Sequence, residues 1–163
     1  MKVQGMEVTD MSGAAEICMP LLLDADPSRE LVESYLARGR LWGCTDDKGP
    51  VCVALMMPVE PGAVELMNLC TRADMRGRGI AGALVAAMKR LYAGKYAVMR
   101  VGTADGFPQV QRFYERCGFR LTGIDRGFFV RNYPEPVMDG GRQCVDMARY
   151  ELRLDGQKES PPP

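Results

Sequence analysis

Apolar positions along the chain change their period several times, and each change marks the start of a new element. A short run near 2–9 suits a strand; Asp10 then stands where a helix cap would, and Ala14, Ile17, Cys18 and Leu21 follow helical spacing as far as Pro20. Asp26-Pro27 reads as a second helix start, with Pro at the first helical position and Leu31, Val32, Tyr35 and Leu36 on one face ending at Gly39. Three apolar runs follow, 41–45, 51–57 and 63–71, separated by Asp46-Asp47-Lys48-Gly49 and by Pro58 to Gly62. Both separators are turn chemistry, so an antiparallel meander is predicted. Helical spacing returns at Ile80, Leu84, Met88 and Leu91 within 79–93 and stops at Gly94; a strand at 97–103, a helix at 108–117 and a strand at 119–125 follow. The last apolar stretch, 144–154, alternates as a strand does, and the loop before it, 127–143, is too long to be a mere connection.

The order of elements predicts an α/β (α+β) chain, with a mixed, mostly antiparallel sheet of six to seven strands flanked by about four helices. At 163 residues, one domain over 1–154 is expected, with the polar stretch 155–163 as a loose tail. Lys+Arg and Asp+Glu each total 21, so no net field draws the chain to nucleic acid or to an anionic membrane. Histidine is absent, which excludes every Ser-His and Cys-His mechanism and leaves acid–base chemistry to Glu, Asp, Tyr, Cys or Lys. Cys18, Cys44, Cys52, Cys70, Cys117 and Cys144 form no CxxC, and most sit in apolar runs where a free thiol behaves as a small hydrophobe. No metal is expected. The first residues carry no basic segment leading into an apolar run, and nowhere do 18 apolar residues follow one another, so a cytoplasmic protein without a membrane span is expected.

The strongest chemical signal is the stretch Arg72 to Val85, where the strand 63–71 passes through a loop into a helix with glycines at 77, 79 and 82. Glycines let backbone approach a ligand closely, and the first-turn N–H groups together with the helix dipole attract phosphate. Arg72, Arg76 and Arg78 add positive charge, which makes a pyrophosphate the natural guest. The bland alternative is a turn followed by a small-residue helix face packed on the sheet. A dinucleotide fingerprint is a third reading, from Gly77-x-Gly79-x-x-Gly82 with Asp105 as the ribose-binding acid, and it would make the protein an oxidoreductase. Against it, such a motif normally opens its fold, whereas an antiparallel meander precedes this one.

The same stretch, Arg76-Gly77-Arg78-Gly79-Ile80-Ala81, resembles the Q/R-x-x-G-x-G/A signature of the GNAT superfamily of acyl-CoA-dependent N-acyltransferases. Gln109 to Phe119, QVQRFYERCGF, resembles the second signature of that family, and the two stand in the right order. The resemblance implies an N-acetyltransferase that carries an acetyl group from acetyl-CoA to a primary amine of a small molecule or peptide, by direct attack in a ternary complex. It implies that the N–H groups of Arg78, Gly79, Ile80 and Ala81, with Arg76 and Gly77 beside them, hold the CoA pyrophosphate. Free backbone groups of Leu69, Cys70 and Thr71 would pair with pantetheine, one N–H meeting the thioester carbonyl.

Two side chains are implied for proton transfer. Glu65 stands where several family members carry a glutamate that acts as base through water; a buried structural acid is the alternative. Tyr114 matches the family position that protonates the departing thiolate. Val110, Phe113 and Cys117 would form the core stripe of its helix, with Tyr114 at the edge. An Asn usual about seven residues earlier is replaced by Phe107, and Asp105 could take its place or cap the next helix. Tyr133, Glu135 and Asp139 in the long loop could meet a cationic amine, with Trp42 and Tyr35 on another side. A non-catalytic acyl-CoA sensor stays open as an alternative, as does a homodimer whose second protomer completes the pocket.

Overall fold

The computed structural model describes residues 1–155; the expected tail lies outside them apart from its first residue. The chain divides into two compact units, residues 1–99 with the end of the last strand from Arg153, and residues 100–152.

The first unit opens with a hairpin, β1 (Lys2–Val3) and β2 (Met6–Glu7), where a single strand was expected. The reversal sits at Gln4 and Gly5, both with positive φ (46° and 82°), a backbone that lets a two-residue turn follow the twist of its strands. After β3 (Thr9–Asp10) the chain enters a 3₁₀ turn over Ser12–Ala14, with the Asp10 carboxylate accepting from the Ser12 N–H. Helix α1 (Ala15–Ala25) then runs through Pro20 instead of ending there. The proline forfeits the bond that its N–H would have given to the carbonyl of Glu16, a loss tolerated because the helix packs on the sheet.

The buried face of α1 is Cys18, Met19 and Leu22, while Ile17 is 66% exposed. With Ala15 these residues follow i, i+3, i+4, i+7, one position on from the expected stripe. Helix α2 (Arg29–Arg38) begins with Ser28 as its cap, the hydroxyl accepting from the Leu31 N–H, and not at Asp26-Pro27. The Asp26 carboxylate instead accepts from the Ser28 N–H and sets up that cap. Val32 is its buried anchor.

The meander is present as β4 (Arg40–Asp46), β5 (Gly49–Glu60) and β6 (Ala63–Thr71), antiparallel in the order β3-β4-β5-β6. Most of β5 is buried, because its neighbours β4 and β6 flank it and α1, α2 and α3 (Ile80–Tyr92) all pack against it. Leu22, Val32, Leu41, Val53 and Leu55 form the heart of one core cluster, each fully buried, and Tyr35 packs at its margin.

The second unit holds most of β7 (Val98–Ala104), α4 (Pro108–Arg116), β8 (Arg120–Asp125), α5 (Phe128–Asn132), the hairpin β9 (Val137–Asp139) and β10 (Arg142–Cys144), and β11 (Met147–Arg153). Its strand order is β7-β11-β8, so the last strand lies between two earlier ones. An ion pair from Arg100 to Glu151 at 3.1 Å links β7 to β11. The segment 127–143, expected as a loop, is structured by α5 and the β9–β10 hairpin. Among the described residues there are seven strands in the main sheet and five α-helices, a mixed, mostly antiparallel α/β architecture.

Leu22 is fully buried in the α1 face, so Leu22→Ala leaves a cavity and should cost about 3 kcal/mol. Urea unfolding should show this as a lower midpoint at unchanged slope.

Candidate functional site

The candidate site in the first unit begins on β6. Its register against β5 shifts between Leu55 and Met56: Met56 faces Leu66 and Leu55 faces Asn68, so Met67 has no opposite number. This is a bulge, a device that bends a strand and re-aims the groups beyond it. Just past it, the Arg72 N–H donates to the Val51 carbonyl, and the alternation of an antiparallel ladder then assigns every group back to the bulge. Cys70 exchanges its backbone bonds with Val53. Leu69 and Thr71 turn their N–H and C=O groups away from β5. Of the three residues expected to offer free backbone groups, Cys70 is therefore committed to the ladder. Its thiol is buried, and desolvation with the nearby Asp24 charge raises its pKa, which makes it a poor nucleophile.

Between β6 and α3 the chain is tied down by salt bridges. Arg72 grips both Asp46 oxygens at 2.8 and 2.6 Å and reaches Asp74 at 2.6 Å. The Arg72 hydrogen bonds hold Asp46 down at about 2, and the Asp46 and Asp74 carboxylates raise Arg72 in return. Arg76 spans from the Thr71 carbonyl, at 3.0 Å, to Asp24 at the end of α1, at 2.6 Å. Two of the three arginines expected to add positive charge here are thus paired with carboxylates and shape the loop. Among the described residues no carboxylate pairs with Arg78, which donates to the Asp74 carbonyl at 3.5 Å.

The loop closes on Gly77 and Gly79, with φ of 74° and 79°. A side chain at either position would be strained in this left-handed backbone. Gly79 is the N-cap of α3 and accepts the first helical bond, from Ala83. No side chain caps this helix and no acid stands in its first turn, whereas Lys89 and Arg90 complement the dipole at its far end. The N–H groups of Arg78 and Gly79 have no backbone acceptor among the described residues, and those of Ile80 and Ala81 fall in the turn that a helix cannot satisfy for itself. The structure thus brings Leu69, Thr71 and the segment Arg76 to Ala81 to one end of the first unit. Glu65 lies further back on β6, half-buried opposite Met57.

Asp105 and Tyr114 belong to the second unit. Asp105 follows β7 in a turn, its N–H bonded to the Asp146 carbonyl at 2.9 Å and its carboxylate accepting from Gln111 at 3.3 Å. It does not cap α4, which has no side-chain cap; the Gln111 side-chain oxygen instead fastens the entry to the helix, accepting from the N–H groups of Gly106 and Phe107 at 3.0 and 3.1 Å. Tyr114 is the one buried residue of α4, at 8% exposure, and Val110, expected in the core, is 38% exposed. The Tyr114 ring is held edge-on by Phe113 and Phe119, with centroids 5.1 and 5.8 Å away.

Of the suggested acceptor residues, Tyr133 stacks on Phe129, Asp139 faces Arg142 across the β9–β10 hairpin, and Glu135 is exposed. Trp42 donates to the Tyr92 hydroxyl at 2.9 Å. Sequence reasoning passed over the bulge at Met67, the Arg72 ties and the Gln111 bonds to the entry of α4. Only the last had a legible signal, a glutamine four residues after Phe107. The six cysteines are free thiols, and among the described residues no cluster of three or more His, Cys, Asp or Glu side chains could hold a metal ion. No described helix is long and apolar enough to cross a membrane.

Comparison with known proteins agrees with this geometry. Residues 37–121 match the family model described as an acetyltransferase (GNAT) domain. The N-acetyltransferase YvbK of Bacillus subtilis strain 168, named as uncharacterized, is 32% identical over 135 residues, covering 82% of this chain and 87% of that protein. A GNAT family acetyltransferase from Elizabethkingia anophelis, solved with acetyl-CoA bound, has a TM-score of 0.86 at 28% identity, covering 92% of this chain and 99% of that one. A Bacillus subtilis acetyltransferase in complex with CoA has a TM-score of 0.82 at 28% identity, covering 91% and 98%. The chain belongs to the GNAT family of acetyltransferases. Nothing in these relatives favours the oxidoreductase reading of its glycines.

The Arg72 ties have a pH signature. Because the Asp46 pKa is depressed by folding, its contribution to stability is complete above the unfolded value near 3.9 and is lost as pH falls through about 2. In Arg72→Gln the Asp46 carboxyl should titrate close to its ordinary value, as followed by carbon-detected NMR.

Proposed function

We propose that this chain transfers an acetyl group from acetyl-CoA to a primary amine of a small molecule or peptide, by direct attack within a ternary complex. The observation that carries this reading is the uncapped first turn of α3, framed by two left-handed glycines and lying next to the outward backbone groups of Leu69 and Thr71. These donors fit the ligand: adjacent N–H groups on a helix dipole suit a diphosphate, and strand backbone groups that face away from β5 suit the amide groups of pantetheine. That the Elizabethkingia and Bacillus structures hold acetyl-CoA and CoA supports the same assignment.

Acetyl-CoA supplies an activated thioester. The N–H groups of Arg78, Gly79, Ile80 and Ala81 bind its diphosphate, with the Arg78 guanidinium adding charge. The Leu69 N–H, outward on the far side of the bulge, polarises the thioester carbonyl and stabilises the oxyanion that develops there. Glu65 accepts the proton that the amine must lose, through a water molecule. Tyr114 donates its hydroxyl proton to the departing sulfur. Asp105 takes the cofactor contact that Phe107 lacks. Six free thiols, stable where glutathione keeps cysteines reduced, support a cytoplasmic setting.

A panel of primary amines assayed for thiol release from acetyl-CoA tests the reaction. Turnover with at least one amine is expected; tight acetyl-CoA binding with no release across the panel would make the protein a sensor. Acetyl-CoA at a hundred times its dissociation constant should stabilise the fold by about 2.7 kcal/mol, seen as a higher melting temperature, whereas NADH and NADPH should leave it unmoved. Gly79→Val should abolish acetyl-CoA binding, since valine strongly disfavours that φ. Tyr114→Phe should lower kcat by about a hundredfold with little change in acetyl-CoA affinity. Unchanged kcat in that variant removes the proton-donor role.

A further inference from the structure

We propose that Gln4, at the tip of the N-terminal hairpin, is a positioning residue for the diphosphate-binding loop: its side-chain amide pins one peptide unit so that the Gly79 N–H faces the ligand. The inference rests on the acyl-CoA reading of the α3 N-terminus and adds to it a residue outside both sequence signatures.

Three observations meet at this point. The Gln4 Nε2 donates to the carbonyl of Arg78 at 2.5 Å, across 74 residues of sequence. A methyl group built on Gly79 would lie 3.8 Å from that same nitrogen, so the amide sits directly beside the peptide joining residues 78 and 79. Gln4 is also the one non-glycine residue with positive φ among those described, at 46°. Such a backbone is uncommon for glutamine and persists where surrounding structure maintains it.

The consequence follows from peptide geometry. The 78–79 peptide is trans, so its C=O and N–H point in opposite directions. With the oxygen directed at Gln4, the Gly79 N–H must point to the side away from the hairpin. That N–H has no backbone acceptor among the described residues. This peptide is free to flip, since glycine occupies positive and negative φ about equally well and rotation needs no Cβ to pass a neighbour. A flip would present a carbonyl oxygen where the diphosphate needs a donor, replacing attraction by repulsion. The Gln4 hydrogen bond is lost in the flipped state, so it biases the loop toward the binding-competent arrangement before the ligand arrives. Arg78 adds a second restraint, its guanidinium reaching back to the Asp74 carbonyl.

The test compares wild type with Gln4→Met, which keeps the length and removes the donor, and Gln4→Gly, which removes the side chain and suits the positive φ. Isothermal titration with CoA should show its Kd raised three- to tenfold in both variants, equivalent to about 0.7 to 1.4 kcal/mol. The ligand-free melting temperature of Gln4→Gly should equal or exceed that of wild type, because the turn itself is relieved. In wild type the Gly79 amide should give one sharp ¹H–¹⁵N resonance that moves on adding CoA; in both variants it should broaden or split before ligand is added. Equal CoA affinity in wild type and Gln4→Gly overturns the proposal while leaving the acyl-CoA reading intact. A fall in ligand-free melting temperature with a single sharp Gly79 resonance makes Gln4 merely structural, which also overturns it. Wild type that does not bind CoA overturns the acyl-CoA reading itself and this inference with it.

Discussion

A helix cannot satisfy the N–H groups of its own first turn, and the rest of the first unit is organised around leaving those of α3 unsatisfied. Proteins ordinarily cover such groups with a Ser, Thr, Asp or Asn cap, as Ser28 does for α2. At α3 the cap is Gly79, which has no side chain to offer. Keeping that end open requires the entering chain to be rigid without help from a cap. The rigidity comes from Arg72 and Arg76, which fasten the loop to Asp46 on the β4–β5 turn, to Asp74 within the loop, and to Asp24 on α1. Two positive charges are thereby paired with carboxylates, and what the α3 end offers an anion is chiefly backbone dipole plus Arg78.

The bulge at Met67 does for β6 what the glycines do for the loop. A strand paired without irregularity would continue its alternation through Leu69, and which backbone groups turned outward would follow from the turn at Pro61-Gly62 alone. The extra residue resets that alternation, so Leu69 and Thr71, with Cys70 between them, have the parity needed to face away from β5. Cys70 is the residue that loses by it: its backbone is spent on Val53 and its thiol on the core beside Asp24.

The parts of this architecture carried by periodicity were legible in the sequence, and those carried by long-range pairing were not. The meander and α3 stand within a few residues of their expected bounds because turn chemistry and a clean 3.6-residue stripe each have local signatures. Both α1 and α4 were expected with the wrong face inward. In α1 the stripe moved by one position, since Ile17 and Leu21 are as apolar as Cys18 and Leu22 and only packing on β5 and β6 distinguishes them. In α4 the buried position went to Tyr114 over Val110, because a tyrosine between two phenylalanines buries more area than a valine at the first turn. The glycine motif read as an anion site and the arginines beside it as unpaired positive charge, because the partners of Arg76 and Arg72, Asp24 and Asp46, lie 52 and 26 residues away. A bulge has no sequence signature of its own, and neither does a glutamine reaching a carbonyl 74 positions downstream.

The order β7-β11-β8 places the final strand of the second unit between two strands made before it. During synthesis β7 and β8 leave the ribosome with no partner for the edges they will share with β11, and about twenty residues must still be added. At roughly 5–20 residues per second that interval lasts about one to four seconds. Over that time two incomplete sheet edges stand open to other nascent chains, until Met147 to Leu152 fill the gap. Vectorial translation thus makes β11 the keystone of the second unit, and β7 and β8 need protection most in the interval before β11 is made.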